Sequence, residues 1–402
     1  MQKLPLEGIR VADFSWVLAG PHCTQWLGLM GAEIIKLETN KRLDMMRMSA
    51  FAEGKRDIER AGAFHMLNYN KKSCTLDLTQ PKAIEIVKKL VKISDVTVEN
   101  FAPGVIDKMG LGYTVLKSIK PDIIFVSSSG LGSTGPDRGH VAYGSTLHSF
   151  SGLCSITGYA GGPPRTIGGT YTDPLTGVTM TFAILAALYH RAKTGEGQFI
   201  DLSMAESTIA QLPEAIMDYT MNSRVAAPSG NEDGAMAPHG CYPCKGNDKW
   251  VAIAVSNDAE WKSLCHAMGN PDWCKEKRFA DQYSRYRNKT ELDKLVGEWT
   301  KNYTNYEVMQ ILQKAGVAAG PSTNIDDMVA DPHLKERGLY KELDYPDIGK
   351  RPIVAAPWKL SRGFADYKIA PHLGEHNEYV FHELLKMPHD DIKKLMEEKV
   401  IF

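Results

Sequence analysis

The sequence predicts an α/β protein: a large domain built on a doubly wound, Rossmann-like parallel sheet, with a smaller α+β domain. Three observations predict it. An apolar strand, a helix and a second apolar strand follow one another within residues 9–38. The same alternation resumes after residue 70. A stretch rich in Gly, Pro, Ser and Asn then interrupts the pattern between Asn222 and Pro238. Strands alternating with helices are the grammar of a parallel sheet.

In order, "IRVADF" (Ile9–Phe14) reads as a buried strand. "PHCTQWLGLMGA" reads as a helix with Pro21 in its first turn, where the missing N–H costs nothing. "EIIKLE" (Glu33–Glu38) is the next strand, and a polar loop is expected from Thr39 to about Asn70. "CTLDL", "DVTVEN" and "PDIIFVSSSG" follow as strands. Between the first two, Ile84, Val87, Leu90 and Val91 recur at helical spacing, so Pro81–Ile93 is an amphipathic helix. A helix is expected from Asp173 to about Ala192, then a strand in "GQFIDLSM" and one long helix in "AESTIAQLPEAIMDYTM". These assignments place the large domain at 1–222, completed by about 330–402, and the small domain at 223–329. "KWVAIAV" opens the small domain, and "RPIVAAPWKL" supplies a late strand before two C-terminal helices, the last from about Asp390. On such sheets ligands sit beyond the carboxyl ends of the strands.

Composition narrows the function. Of 402 residues 43% are hydrophobic, enough for a sizeable core. The formal net charge of −1 gives no general pull towards nucleic acid or an anionic membrane. The opening "MQKLPLEGIRVADF" lacks the apolar run of a signal peptide, and "TGVTMTFAILAALYH" is too short to span a bilayer. Seven scattered cysteines fit reduced thiols, so a cytoplasmic location is expected. Cys241 and Cys244 form a CxxC, but no second pair completes a zinc site and the surrounding string reads as a strand and hairpin, which favours local packing over redox or metal use.

Several chemistries are absent. "SWVLAGPHC", the turn after the first strand, lacks GxGxxG, so a dinucleotide fingerprint is missing. No P-loop, HExxH or GxSxG occurs. The informative stretch is "TIGGTYTDPLTGVTM". Asp173 followed by proline has the form of a helix cap. Gly168 and Gly169 also let a ligand approach the backbone, and a carboxylate at a helix N-terminus is expected to be held ionised by the dipole and by N–H donors. Such a carboxylate can attack an activated carbonyl. Both readings stay open on these residues alone.

The chain resembles the class III CoA-transferases, the family of formyl-CoA:oxalate and carnitine CoA-transferases, in one superfamily with α-methylacyl-CoA racemase. The resemblance is carried by "LEGIRVADFSWVLAGPHCTQWLGLMGAEIIKLE", "NYNKKSCTLDL", "VTVENFAPGVIDKMGLGY", "YHRAKTGEGQFIDLSMAE" and "APHLGEHNEYV", and it spans essentially the whole chain. It implies that Asp173 is the covalent nucleophile and that CoA passes through an aspartyl anhydride and an aspartyl-CoA thioester. CoA is then a co-substrate, with no tightly bound cofactor. The implied CoA site uses Val17, Leu18, Leu76, Asn100, Phe101, Lys108, His140 and Tyr143. The resemblance also implies an interlocked dimer, with an identical or a related partner chain.

Departures from the formyl-CoA transferase pattern shift the expected substrate. Leu18 stands where that enzyme has glutamine, Gly144 where it has glutamate, and "SGNEDGAMAPHG" replaces its glycine-rich lid. Trp16, Leu18, Met45 and Met46 suggest a less polar pocket, suited to an aromatic or dicarboxylic acceptor such as benzylsuccinate or phenyllactate, with succinyl-CoA as a donor. Two alternatives are a 2-methylacyl-CoA racemase using His140, against which Val141 and Ala142 break the expected pattern, and a non-catalytic subunit of a heteromeric transferase.

Overall fold

The computed structural model describes residues 4–52, 55–363 and 365–402. The chain forms two compact units. The larger comprises the residues up to Cys154, Thr166–Val225 and Gly338–Phe402; the smaller comprises Ser155–Arg165 and Ala226–Arg337.

Six strands form the sheet of the larger unit: β1 Arg10–Asp13, β2 Glu33–Glu38, β3 Lys71–Thr75, β4 Val96–Glu99, β5 Ile124–Ser129 and β6 Phe199–Ser203. Their order is 3-2-1-4-5-6 and every neighbouring pair is parallel. This is the doubly wound arrangement that the alternation of strands and helices predicts. Successive side chains point to opposite faces. Val11, Ile34, Val98 and Val126 therefore meet Leu27 of helix α1 (Ala19–Leu29) and Met180, Ile184 and Leu188 of helix α5 (Thr172–Thr194). Ala12, Ile35, Cys74 and Phe125 face the other way, under Val87 and Leu90 of α3 (Pro81–Lys92) and under Val380, Phe381 and Ile392 of the C-terminal segment.

The helix boundaries follow from single residues. Pro81 occupies the first turn of α3, where its ring is tolerated. Helix α5 ends because Gly195 takes the left-handed conformation, φ 77°, and its N–H closes on the Arg191 carbonyl at 2.8 Å. At Gly177 the α5 backbone meets α1 so closely that an added Cβ would lie 2.8 Å from the Ala19 carbonyl oxygen. That crossing fixes the first turn of α5 beside the turn that leaves β1.

Two expectations are corrected. The stretch read as a polar loop, Thr39–Asn70, contains helix α2 (Gly62–Asn68); its residues 53 and 54 lie outside the described residues. Phe64 of α2 is buried, and the Arg47 guanidinium lies 3.6 Å from its ring centroid, so tertiary burial rather than a long apolar period makes this helix. The single long helix expected after β6 is two, α6 (Met204–Ile209) and α7 (Pro213–Asn222). Pro213 lacks an N–H and its ring cannot follow a helical turn, so the chain breaks before it and restarts.

In the smaller unit, β7 (His239–Pro243), β8 (Trp250–Ala254) and β9 (Ala318–Ser322) form an antiparallel sheet in the order 9-8-7. Helices α8 (Asp258–Ala267), α9 (Lys289–Thr300) and α10 (Asn305–Lys314) cover it, with Trp261, Leu292 and Val308 in the core. Cys241 is exposed on β7 and Cys244 is buried just after it, and all seven cysteines are thiols. In the larger unit the C-terminal stretch adds a hairpin of β10 (Tyr340–Tyr345) and β11 (Gly349–Val354), a π-helical turn at Glu378–Leu384 and helix α11 (His389–Glu397). Among the described residues no helix is long and apolar enough to cross a membrane.

Candidate active site

The turn between β1 and α1 is held by buried polar groups. Asp13 is wholly buried at the end of β1 and accepts from the Ser15 N–H (2.9 Å) and the Thr24 hydroxyl (2.6 Å). Burial opposes its ionisation, but Lys71, Lys36 and the two hydroxyls together hold its carboxyl below the usual range. Trp16 is clamped at both backbone groups by Asn100: its N–H donates to Oδ1 (3.0 Å) and its carbonyl accepts from Nδ2 (2.8 Å). Val17 is β-branched yet has φ 65°, a strained conformation that costs roughly 1–3 kcal/mol. The Asp44 carboxylate holds it there, accepting the Val17 N–H at 3.1 and 3.3 Å.

Two cavities open beyond the carboxyl ends of the strands. The first, about 260 Å³, is lined by Trp16, Leu76, Phe101, Val105 and Met109, with Lys41, Arg42 and Asp77. The second, about 410 Å³, shares Trp16, Lys41 and Arg42 and adds Val17, Met45, Met48 and Tyr143. The Arg42 guanidinium sits 4.2 Å from the Trp16 ring centroid, and Trp16 meets Phe101 edge to face with centroids 6.0 Å apart. Apolar and aromatic walls beside two cations suit a ligand with a flat heterocycle and phosphates.

Asp173 lies in the first turn of α5, but it does not cap it. The cap position is Tyr171, and no side chain makes a capping bond there. Asp173 is only 8% exposed, and its Oδ2 has no hydrogen-bond partner among the described residues. The carboxylate rests on Gly144, the first residue of helix α4 (Gly144–Phe150): a Cβ at that position would overlap Oδ2 and lie 2.8 Å from Cγ. One turn along α4, His148 is fully buried with neither ring nitrogen bonded among the described residues, and its ring stacks on Tyr171 at 6.2 Å. Burial keeps His148 neutral by lowering its pKa.

This dry setting corrects the expected electrostatics. The helix terminus and N–H donors do not dominate; burial raises the Asp173 carboxyl to about 6. At neutral pH it is still mostly ionised, but it is poorly solvated. A carboxylate in that state is a more forceful nucleophile than one wrapped in donors.

The residues expected from the sequence distribute unevenly. Leu76 and Phe101 line the first cavity; Val17 and Tyr143 line the second. Tyr143 directly precedes Gly144, on which the Asp173 carboxylate packs. Asn100 braces Trp16 with both ends of its amide. Leu18 is the half-buried cap residue of α1 and lies outside both linings. Lys108 is exposed, although Val105 and Met109 on either side of it face the first cavity. His140 is exposed on a loop, 3.7 Å from the Asp137 carboxylate. Lys41, Arg42 and Asp44 were not anticipated; the adjacent basic pair just past the carboxyl end of β2 is the signal that points to them.

The model of CoA-transferase family III matches residues 6–377. The chain belongs to that family. The transferase is 34% identical to the succinyl-CoA–D-citramalate CoA-transferase of Chloroflexus aurantiacus, over 99% of this chain and 98% of that one. It is 30% identical to the human succinyl-CoA:glutarate CoA-transferase, over 99% of this chain and 90% of that one. Among solved structures, a CaiB/BaiF family protein from Brucella suis superposes with a TM-score of 0.84 at 32% identity, covering 95% of this chain and all of that one. CoA thioesters are the co-substrates of such transferases.

Two predictions follow from the site's geometry. In Gly144→Ala the new methyl group must displace the Asp173 carboxylate, so transferase activity falls by at least about 100-fold, as a misplacement near 1 Å does, while circular dichroism and thermal unfolding show an intact fold. In Asp173→Asn the substitution removes a charge that burial disfavours. A folded pKa of about 6 against 3.8 means that the ionised group costs on the order of 3 kcal/mol above pH 6 and nothing below 3.8. The variant therefore melts higher than the parent near pH 8, and the difference shrinks as pH falls towards 4.

Proposed function

We propose that this transferase moves CoA from succinyl-CoA to a dicarboxylic acid, with Asp173 as the covalent relay. The observation that carries the proposal is the buried Asp173 Oδ2, without a partner among the described residues and packed on Gly144.

In the first step an Asp173 oxygen attacks the thioester carbonyl; the C–S bond breaks and CoA leaves as thiolate, giving a mixed anhydride. The thiolate then attacks the aspartyl carbonyl, which releases the donor acid and forms an aspartyl-CoA thioester. The acceptor carboxylate attacks that thioester and expels the thiolate. The thiolate finally attacks the acceptor carbonyl and frees Asp173. Each step exchanges one activated acyl bond for another, so no ATP is consumed. The proton count does not change, so the steps call for no general acid or base. The site must exclude water, because hydrolysis would discard the activated acyl group.

The two cavities support the binding roles. Trp16, Phe101 and Leu76 offer an apolar wall for the adenine and pantetheine, and Lys41 and Arg42 offer charge for phosphates. Val17 and Tyr143 line the second cavity, and Tyr143 adjoins Gly144, on which Asp173 packs. The names of the relatives, for citramalate and glutarate, favour the dicarboxylic side of the expected acceptor range. Met45, Met48 and Trp16 keep a dicarboxylate with a bulky apolar substituent, such as benzylsuccinate, within it. A proton shuttle at the acyl α-carbon has less support, because His140 is exposed and paired with Asp137.

The active assembly is proposed to be an interlocked dimer in the cytoplasm. Val178, Phe182 and Tyr189 form an exposed apolar stripe along α5, at 51%, 73% and 65% exposure. Ile216, Met217 and Met221 do the same on α7. Such a patch calls for a covering chain. Related sequences named as the α and β subunits of a malate CoA-transferase leave both an identical and a related partner open.

The test is a transfer assay on the purified chain with succinyl-CoA and a panel of dicarboxylic and aromatic acids. The expected result is ping-pong kinetics with a dicarboxylate. The rate falls as pH drops through about 6, because the nucleophile becomes protonated. Asp173→Asn lowers kcat by a factor on the order of 1,000 or more, as loss of a covalent nucleophile does. Full activity in that variant, or turnover without an acceptor acid, contradicts the proposal.

A further inference from the structure

The geometry points to a site for a first-row divalent transition metal, such as Zn²⁺, on the C-terminal segment, formed by Glu378, His382 and His389. One ligand atom from each of these residues lies within 4.8 Å of the others. A tetrahedral zinc site with bonds of about 2.0–2.1 Å sets its donor atoms roughly 3.3 Å apart, so a small rotation of the exposed Glu378 and His389 side chains towards the half-buried His382 suffices.

The local backbone explains why the three meet. Glu378–Leu384 is a π-helical turn, and its wider winding brings Glu378 and His382 onto one edge. Lys386 at φ 56° then reverses the chain, and His389 enters as the first residue of α11. The His382 and His389 rings stack with centroids 3.8 Å apart and planes 22° from parallel. His389 Nδ1 is 3.5 Å from Glu378 Oε1.

The tautomer of His382 is set as metal-binding histidines require. Its Nδ1 lies 2.9 Å from the Met387 carbonyl oxygen, which can only accept, so Nδ1 carries the hydrogen. That leaves Nε2 with its lone pair free. A backbone carbonyl behind a ligating imidazole fixes the ring and raises its basicity. Two imidazoles and a carboxylate form a donor set that suits zinc or nickel rather than calcium or magnesium.

A bound ion would fasten the segment that closes the sheet edge at β3. Just before the π-turn, Asn377 accepts the Thr75 N–H (2.8 Å) and donates to the Phe402 carbonyl (2.6 Å), while Val380 and Phe381 reach the core. Metal binding here would therefore raise stability without touching the site at Asp173.

The test uses the full chain after chelator treatment and dialysis. Zn²⁺ is titrated by calorimetry, and retained zinc is measured after gel filtration for the parent, for Glu378→Gln and for the double variant His382→Ala/His389→Ala. The expected result is that the double variant retains one zinc ion fewer per chain. Glu378→Gln weakens that site by at least roughly the tenfold typical of losing even an outer partner. Zn²⁺ raises the melting temperature of the parent but not of the double variant, and the metal-free spectra of all three chains coincide. Equal zinc retention by parent and double variant, or no zinc bound by the parent, overturns the inference.

Discussion

The contact between the Asp173 carboxylate and the bare Cα of Gly144 is the constraint on which the rest depends. Any side chain at 144 would occupy the volume of the carboxylate. The glycine also has no side chain that could bond it, and among the described residues one carboxylate oxygen stays both buried and unbonded. A buried polar atom without a partner is unfavourable, by about 1–3 kcal/mol. The fold tolerates that cost at the carboxylate proposed as the nucleophile. Gly177 acts in the same direction, because its lack of a side chain lets α5 close onto α1 and sets the register of the first turn of α5.

The carboxyl end of the sheet shows the opposite solution. There, buried charges are numerous and almost fully satisfied. Arg47 is wholly buried and bonds Glu38 through two nitrogens at 2.9 Å each, Glu59 at 2.8 Å and the Pro371 carbonyl at 2.9 Å. Lys36 donates to the Ser15 carbonyl at 2.7 Å, and Lys71 to those of Pro21 and the Asn68 side chain at 2.9 Å each. This network holds the strained turn at Val17 and the wall at Trp16. It gives the cavities a rigid frame, whereas Asp173 is left without one. The contrast separates the groups that position the walls from the one proposed to react.

Much of the fold was legible in the sequence because local signals and tertiary structure agree there. The alternating strands, Pro81 and Gly195 speak for the elements they bound. Helix α2 was not legible: seven residues carry too little periodicity, and Phe64 is held by a buried cation that only the folded chain supplies. The break at Pro213 was legible in principle, since proline cannot sit inside a helix; the apolar residues around it masked the signal. For the site, Asp173 could be singled out, but a cap and a reagent look alike in the string "TYTDP". The difference lies with Tyr171 at the cap position and with Gly144, 29 positions earlier in the chain. Lys41 and Arg42 were hidden in a polar loop because their meaning comes from Trp16 and Asp77 across the cavity.

The central claim is that Asp173 is a reagent rather than a structural cap. Mass spectrometry of the transferase, quenched in acid during turnover with its donor acyl-CoA and digested, tests it most directly. The account predicts that the peptide containing Asp173 gains the mass of CoA less one water, and that the added mass disappears when an acceptor acid is supplied in excess. An unmodified Asp173 peptide in a sample that is turning over, or the same added mass on a different carboxylate, would contradict it.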